Sequence, residues 1–172
     1  MKKLIILILG FFTMKAYCQN EFAATAFYDD FKKIYADAQS GFATYKGDKR
    51  NSDFAELQTE YKVKLLLPLA DSGKIVFPNS GNPYAVYYFE PSKVRLKIDQ
   101  RALNLQEAVL SVFSQTFYSR TETIVINNHP LTNTYFFTSP DETRQSAALF
   151  RVSIYFNEGK YFLSFEIRGK NP

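Results

Sequence analysis

The chain has 172 residues, with 21 Lys and Arg against 17 Asp and Glu, a formal charge of +4, one histidine and one cysteine. A chain near ~150 residues can bury roughly 70% of its unfolded surface, so one domain with a substantial core is the default. One cysteine and one histidine exclude a disulfide framework and a metal centre built from several Cys or His ligands.

Lys2 and Lys3 precede an apolar run from Leu4 to Phe12, interrupted only by Gly10. Ala16-Tyr17-Cys18 then places small residues three and one positions before a cut ahead of Gln19. The run is too short to span a bilayer, which takes roughly 20 apolar residues. The pattern predicts a signal peptide over 1–18, a mature α+β domain over 19–172 and export to the periplasm or medium. A lipoprotein leader wants a branched aliphatic residue three places before the cysteine and a small residue just before it. Lys15 and Tyr17 hold those places. Membrane contact follows only if Cys18 is lipidated. The segment resembles leaders of Bacteroidota secreted proteins, in which "QN" often opens the mature chain.

Lys2, Lys3 and Lys15 leave with the leader, so the mature domain carries a net charge of only about +1. A near-neutral domain lacks the clustered basic footprint of a nucleic-acid binder.

Phe27, Phe31, Ile34, Tyr35, Ala38, Phe42 and Tyr45 recur at helical spacing, opposite Asp29, Asp30, Lys33, Asp37 and Thr44. This predicts an amphipathic helix ended by Gly47, with Lys46 near its negative pole. "YKVKLLLP" alternates Tyr61, Val63, Leu65 and Leu67 with Lys62 and Lys64 and reads as a strand with one buried face. "DSG" and "NSGNP" read as turns around "KIVFP" and before "YAVYYFE". Val94, Leu96 and Ile98 alternate with basic residues, as a short strand or an extended lead-in. A second helix follows, from a capping-box variant at Asn104 and Glu107 or a turn earlier at Asp99. Its apolar face is Leu105, Val109, Val112, Phe113 and Thr116.

"ETIVIN" and "NTYFFT" are strands flanking the loop "NHPL". "SPDETRQSA" is a polar loop in which Ser139 and Pro140 can start one helical turn. In the last hairpin Phe150, Val152, Ile154 and Phe156 share one face, and Arg151, Ser153 and Tyr155 the other. After a turn at 157–160, Tyr161, Leu163, Phe165 and Ile167 alternate with Phe162, Ser164, Glu166 and Arg168. The pattern predicts a two-layer α+β fold, with an antiparallel sheet of about five to seven strands and two main helices on one face. The order of elements resembles that of small chaperone-like domains such as the type III secretion chaperones. No motif accompanies that resemblance, so it implies no activity.

No catalytic, cofactor-binding or metal-ligating residue is assigned. His129 lies among turn formers and reads as an exposed loop histidine. Asp29-Asp30 and Asp141-Glu142 are adjacent pairs, and neighbours along a helix do not face each other. "NSGNP" lacks the frame of a serine nucleophile elbow, and the glycines form no phosphate loop.

The aromatic content is high, at 17 Phe and 12 Tyr with no Trp. In "PYAVYYFEP", Tyr84, Val86 and Tyr88 fall on one strand face and Ala85, Tyr87 and Phe89 on the other. A strand apolar on both faces is central, covered twice, or part of a contact surface. Tyr84, Val86, Tyr88, Tyr155 and Phe162 are therefore the candidate interface. The leading expectation is a non-catalytic domain that binds a protein partner or forms a homodimer. The second is a carrier of a small apolar ligand or lipid, held between helices and sheet. The third is a hydrolase using carboxylates.

Overall fold

The computed structural model describes residues 20–113, 116–126 and 128–171. The leader, with Cys18 and the cleavage site, lies outside the described residues.

Phe27, Phe31, Ile34 and Ala38 form the buried stripe of helix α1 (Thr25–Gln39). The helix stops two turns before the predicted end. Gly41 and Phe42 turn left-handed, at φ of 71° and 58°, and the Phe42 N–H donates to the Asp37 carbonyl at 2.8 Å. Glycine suits that position, whereas a phenylalanine there is strained by ~1–2 kcal/mol. Burial of the whole Phe42 ring offsets the strain. Gly169 leaves it room, since a Cβ there would stand 2.7 Å from the ring.

The residues predicted to cap the helix instead form a strand, β1 (Lys46–Arg50). There follow β2 (Gln58–Val63), β3 (Ala70–Pro78) and β4 (Tyr84–Ser92). "DSG" is not a turn but part of β3. The chain reverses earlier, at Leu69, whose φ is 69°.

Helix α2 (Arg95–Ser111) starts where a strand or lead-in was read. Asn104 and Glu107 lie in its interior, so they are not its cap. Ile98, Ala102, Leu105, Ala108 and Val109 make one buried stripe, and this 3.6-residue period outweighs the short alternation of Val94, Leu96 and Ile98. Leu96 points out and is 76% exposed. Phe113 and Thr116 lie beyond the helix end.

The second half gives β5 (Tyr118–Ile126) and β6 (His129–Phe137), so most of "NHPL" is strand. The helical turn in the polar loop falls at Gln145–Ala147, not at Ser139. β7 (Phe150–Asn157) and β8 (Lys160–Arg168) form the predicted hairpin. Its turn holds Glu158 and Gly159 at φ of 47° and 76°, the backbone that tight hairpins require.

Among the described residues eight strands join one antiparallel sheet in the order β1-β2-β3-β4-β8-β7-β6-β5. The fold class is α+β as expected, with eight strands rather than five to seven. Each half of the chain is a helix followed by a four-strand meander, and the halves meet where β4 pairs with β8. That tandem order leaves no repeat in the sequence.

Both helices contribute buried residues to one core with Ile75, Ala85, Tyr87, Phe89, Phe150, Val152, Leu163, Phe165 and Ile167 on one sheet face. Rings fill this layer. Phe31 meets Phe113 and Phe150 edge-on at 5.5 Å, and Phe22 meets Phe27 and Phe89 at 5.4 and 5.5 Å. Edge-to-face pairs add to the ~1.5–3 kcal/mol that burying each such side chain contributes.

Candidate functional site

Period-two alternation in the central strands decides what the other sheet face carries. β4 turns Tyr84, Val86 and Tyr88 away from the helices. Register then sets their neighbours: Arg168, Glu166 and Ser164 on β8, and Val76, Lys74 and Ser72 on β3. Beyond β8, Tyr155, Ser153 and Arg151 of β7 stand opposite Phe162, Ser164 and Glu166. All five predicted interface residues therefore lie on the open face, drawn from strands far apart in the chain.

At the middle of that face is an open hollow of about 490 Å³, reached by residues of β3 to β8. Tyr84, Tyr88 and Tyr155 stand around it with Lys74, Arg151 and Ile126. Val86 is 8% exposed, so it serves as floor rather than contact. Phe162 backs the site instead of lining it: its ring stacks on Tyr155 at 5.3 Å and 9°, which fixes the tyrosine's orientation.

The polar floor is largely paired within itself, with Arg151 Nε left without a partner. Ser153 Oγ donates to Asn133 Oδ1 at 2.6 Å, with both residues buried. Glu166, 3% exposed, accepts from Arg151 Nη2 through one oxygen and from Arg168 Nε at 2.9 Å through the other. Lys74 Nζ donates to Glu60 at 2.8 Å, and the same carboxylate takes Gln58 at 2.6 Å and Ser52 at 3.1 Å. Burial opposes ionisation of Glu60, but the bond and charge of Lys74, with Gln58 and Ser52, hold its pKa below the ordinary value.

Burial raises the pKa of Tyr84, Tyr88 and Tyr155. Nearby Glu166 adds to the rise at Tyr84, and Glu60 to that at Tyr88. Their hydroxyls therefore stay neutral near pH ~7, able to donate and accept hydrogen bonds beside an apolar ring.

His129 is exposed on β6, not in a loop, and its ring centroid lies 4.3 Å from that of Phe156. Asp30 pairs with Lys33 at 2.8 Å, and Glu142 with Arg144 at 2.9 Å, on the surface. Asp37, assigned to the polar face of the first helix, is buried and binds backbone. Among the described residues no three His, Cys, Asp or Glu side chains gather to hold a metal ion, and no helix is long and apolar enough to cross a membrane.

The charged and hydroxyl residues of the floor were missed in the sequence. Arg151, Ser153, Ser164 and Glu166 alternate with large apolar residues and read only as the mixed side of a hairpin. Asn133 opens "NTYFFT", which reads only as a strand. Tyr135 and Phe137 of that segment are buried with Ala148 in a small second cluster, apart from the main core.

Comparison with family models, with curated proteins and with solved structures finds no match, so the geometry of the open face carries the functional reading.

Proposed function

We propose that this chain is an exported, non-catalytic binding domain whose open sheet face takes a protein partner at the tyrosine-ringed hollow. The observation that carries this reading is the contrast between the two sheet faces. Among the described residues the helix face is filled ring against ring, which supports a packed core more than a carrier's pocket. The open face presents neutral tyrosine hydroxyls and apolar ring edges around a hollow. Its carboxylates, Glu60 and Glu166, are each engaged by cationic side chains, which disfavours acid–base chemistry there. Tyrosine serves at interfaces because it offers a large rigid contact area at low entropic cost.

The test is capture of partners from the native envelope by wild type, Tyr84→Ala, Tyr88→Ala and Tyr155→Ala. Truncating a central interface tyrosine weakens binding by about tenfold or more. The captured protein is expected to be lost or strongly reduced with at least two of the three variants. Equal capture by all three, with unchanged circular dichroism, would sink the proposal. Mass spectrometry of the same preparation reads the mature N-terminus. Glutamine at position 19 agrees with export by cleavage, and an acylated Cys18 contradicts it.

A further inference from the structure

Among the described residues β1 and β5 are the two edge strands of the sheet, and they are built differently. β1 is five residues long, Lys46-Gly47-Asp48-Lys49-Arg50, and its register shifts between Lys46 and Lys49. Short, charged and irregular edges resist pairing with other strands. β5 is nine residues long and keeps register with β6 from Tyr118 opposite Phe137 to Ile126 opposite His129. It exposes Ile124, Val125 and Ile126 at 49%, 70% and 50%. A long regular edge with exposed apolar side chains is a template for one more strand.

We propose that β5 pairs with β5 of a second copy, antiparallel, about a two-fold axis centred on Thr121. The edge adjoins the tyrosine hollow at Ile126, but the pairing is set by Tyr118 to Ile124 and does not depend on what binds in the hollow. Directly opposed residues in an antiparallel ladder share one face of the sheet, so in a symmetric pair one residue must face itself. Centring on Arg120 sets Arg120 against Arg120. Centring on Glu122 sets Glu122 against Glu122. Centring on Thr123 sets Arg120 against Ile126 and Glu122 against Ile124.

Of these registers the one on Thr121 is complementary over residues 118–124. It sets Arg120 opposite Glu122 twice, Tyr118 opposite Ile124 twice and Ser119 opposite Thr123 twice. Within one chain Arg120 and Glu122 already stand side by side at 3.0 Å. Glu122 also accepts from Gln145 at 2.7 Å, and Arg120 lies over the Phe137 ring at 5.7 Å. Both charges are therefore held in place before a partner arrives. The axis runs perpendicular to the sheet, so the open faces of both copies point the same way. The dimer would then present two hollows to one partner surface, the arrangement that gives avidity.

Sedimentation velocity over a concentration series tests this with wild type, Arg120→Glu and Glu122→Arg. Each single substitution turns two attractive cross-strand pairs repulsive and should weaken self-association on the order of thirtyfold. Mixing the two variants in equal amounts sets two glutamates against two arginines, so a heterodimer should form although neither variant dimerises alone. The mixture also separates loss of the intrastrand bridge, which both variants share, from loss of the contact. A monomeric wild type, variants that dimerise as well as wild type, or a mixture that stays monomeric would each overturn the proposal.

Discussion

Asp37 sits at a position that a helical wheel assigns to solvent, yet it is buried, and its two carboxylate oxygens accept the backbone N–H groups of Thr44 and Tyr45 at 2.8 Å each. The carboxylate thus replaces the helical bonds that the chain gives up beyond Gln39. Asparagine at this position offers one acceptor oxygen and turns an amide donor toward the second N–H. Asp37→Asn should cost ~1.5–3 kcal/mol, the range for hydrogen bonds to a charged group, and urea unfolding measures it. Glu60 gives a pH dependence. Its folded pKa is lowered below 4.5, so its contribution is fully present above that value and is lost as pH falls through the folded pKa. Glu60→Gln should flatten the acid side of the stability curve below about pH 5, with little change in slope near pH ~7. An unchanged acid limb would show that the contacts of Lys74, Gln58 and Ser52 do not favour the charged form.

Among the elements, the β7–β8 hairpin was the most legible, because Phe150 to Phe156 and Tyr161 to Ile167 alternate without interruption and one face is buried from Phe150 to Ile154 and from Leu163 to Ile167. The start of α2 was obscured by Val94, Leu96 and Ile98, of which only Ile98 enters the core. β1 was hidden for a different reason: an edge strand guarded by Lys46, Asp48, Lys49 and Arg50 carries no hydrophobic period. Asp71-Ser72-Gly73 resembles a turn, which hides the first part of β3 in the sequence. Gly73 is there for packing. A Cβ at that site would lie 2.9 Å from Tyr87 Cδ1 and 3.2 Å from Val63 Cγ2, so the glycine lets the buried Tyr87 ring lie across the strand. Gly73→Ala should therefore destabilise the domain by ~1–3 kcal/mol despite alanine's better strand propensity, and a shift in thermal midpoint checks it. A stabilised variant would mean that the ring moves aside without cost.

At the scale of the whole molecule, the helix-strand-helix-strand order was readable, but its consequence for the open face was not. The hollow depends on β4 pairing with β8, which brings Tyr84, Val86 and Tyr88 beside Arg168, Glu166 and Ser164 from the other end of the chain. Periodicity assigns residues to faces, but it does not say which strands are neighbours. The predicted interface residues therefore fall on one face, without the polar floor that pairing places among them. The central claim is that this face, and not the helical layer, meets the partner. Site-specific photo-crosslinking in the native envelope tests it most directly, with the reactive group placed at Tyr155 in one variant and at exposed Leu103 of α2 in another. The expected result is one crosslinked partner from position 155 and none from position 103. Crosslinks from position 103 alone would contradict it and move the binding surface to the helices.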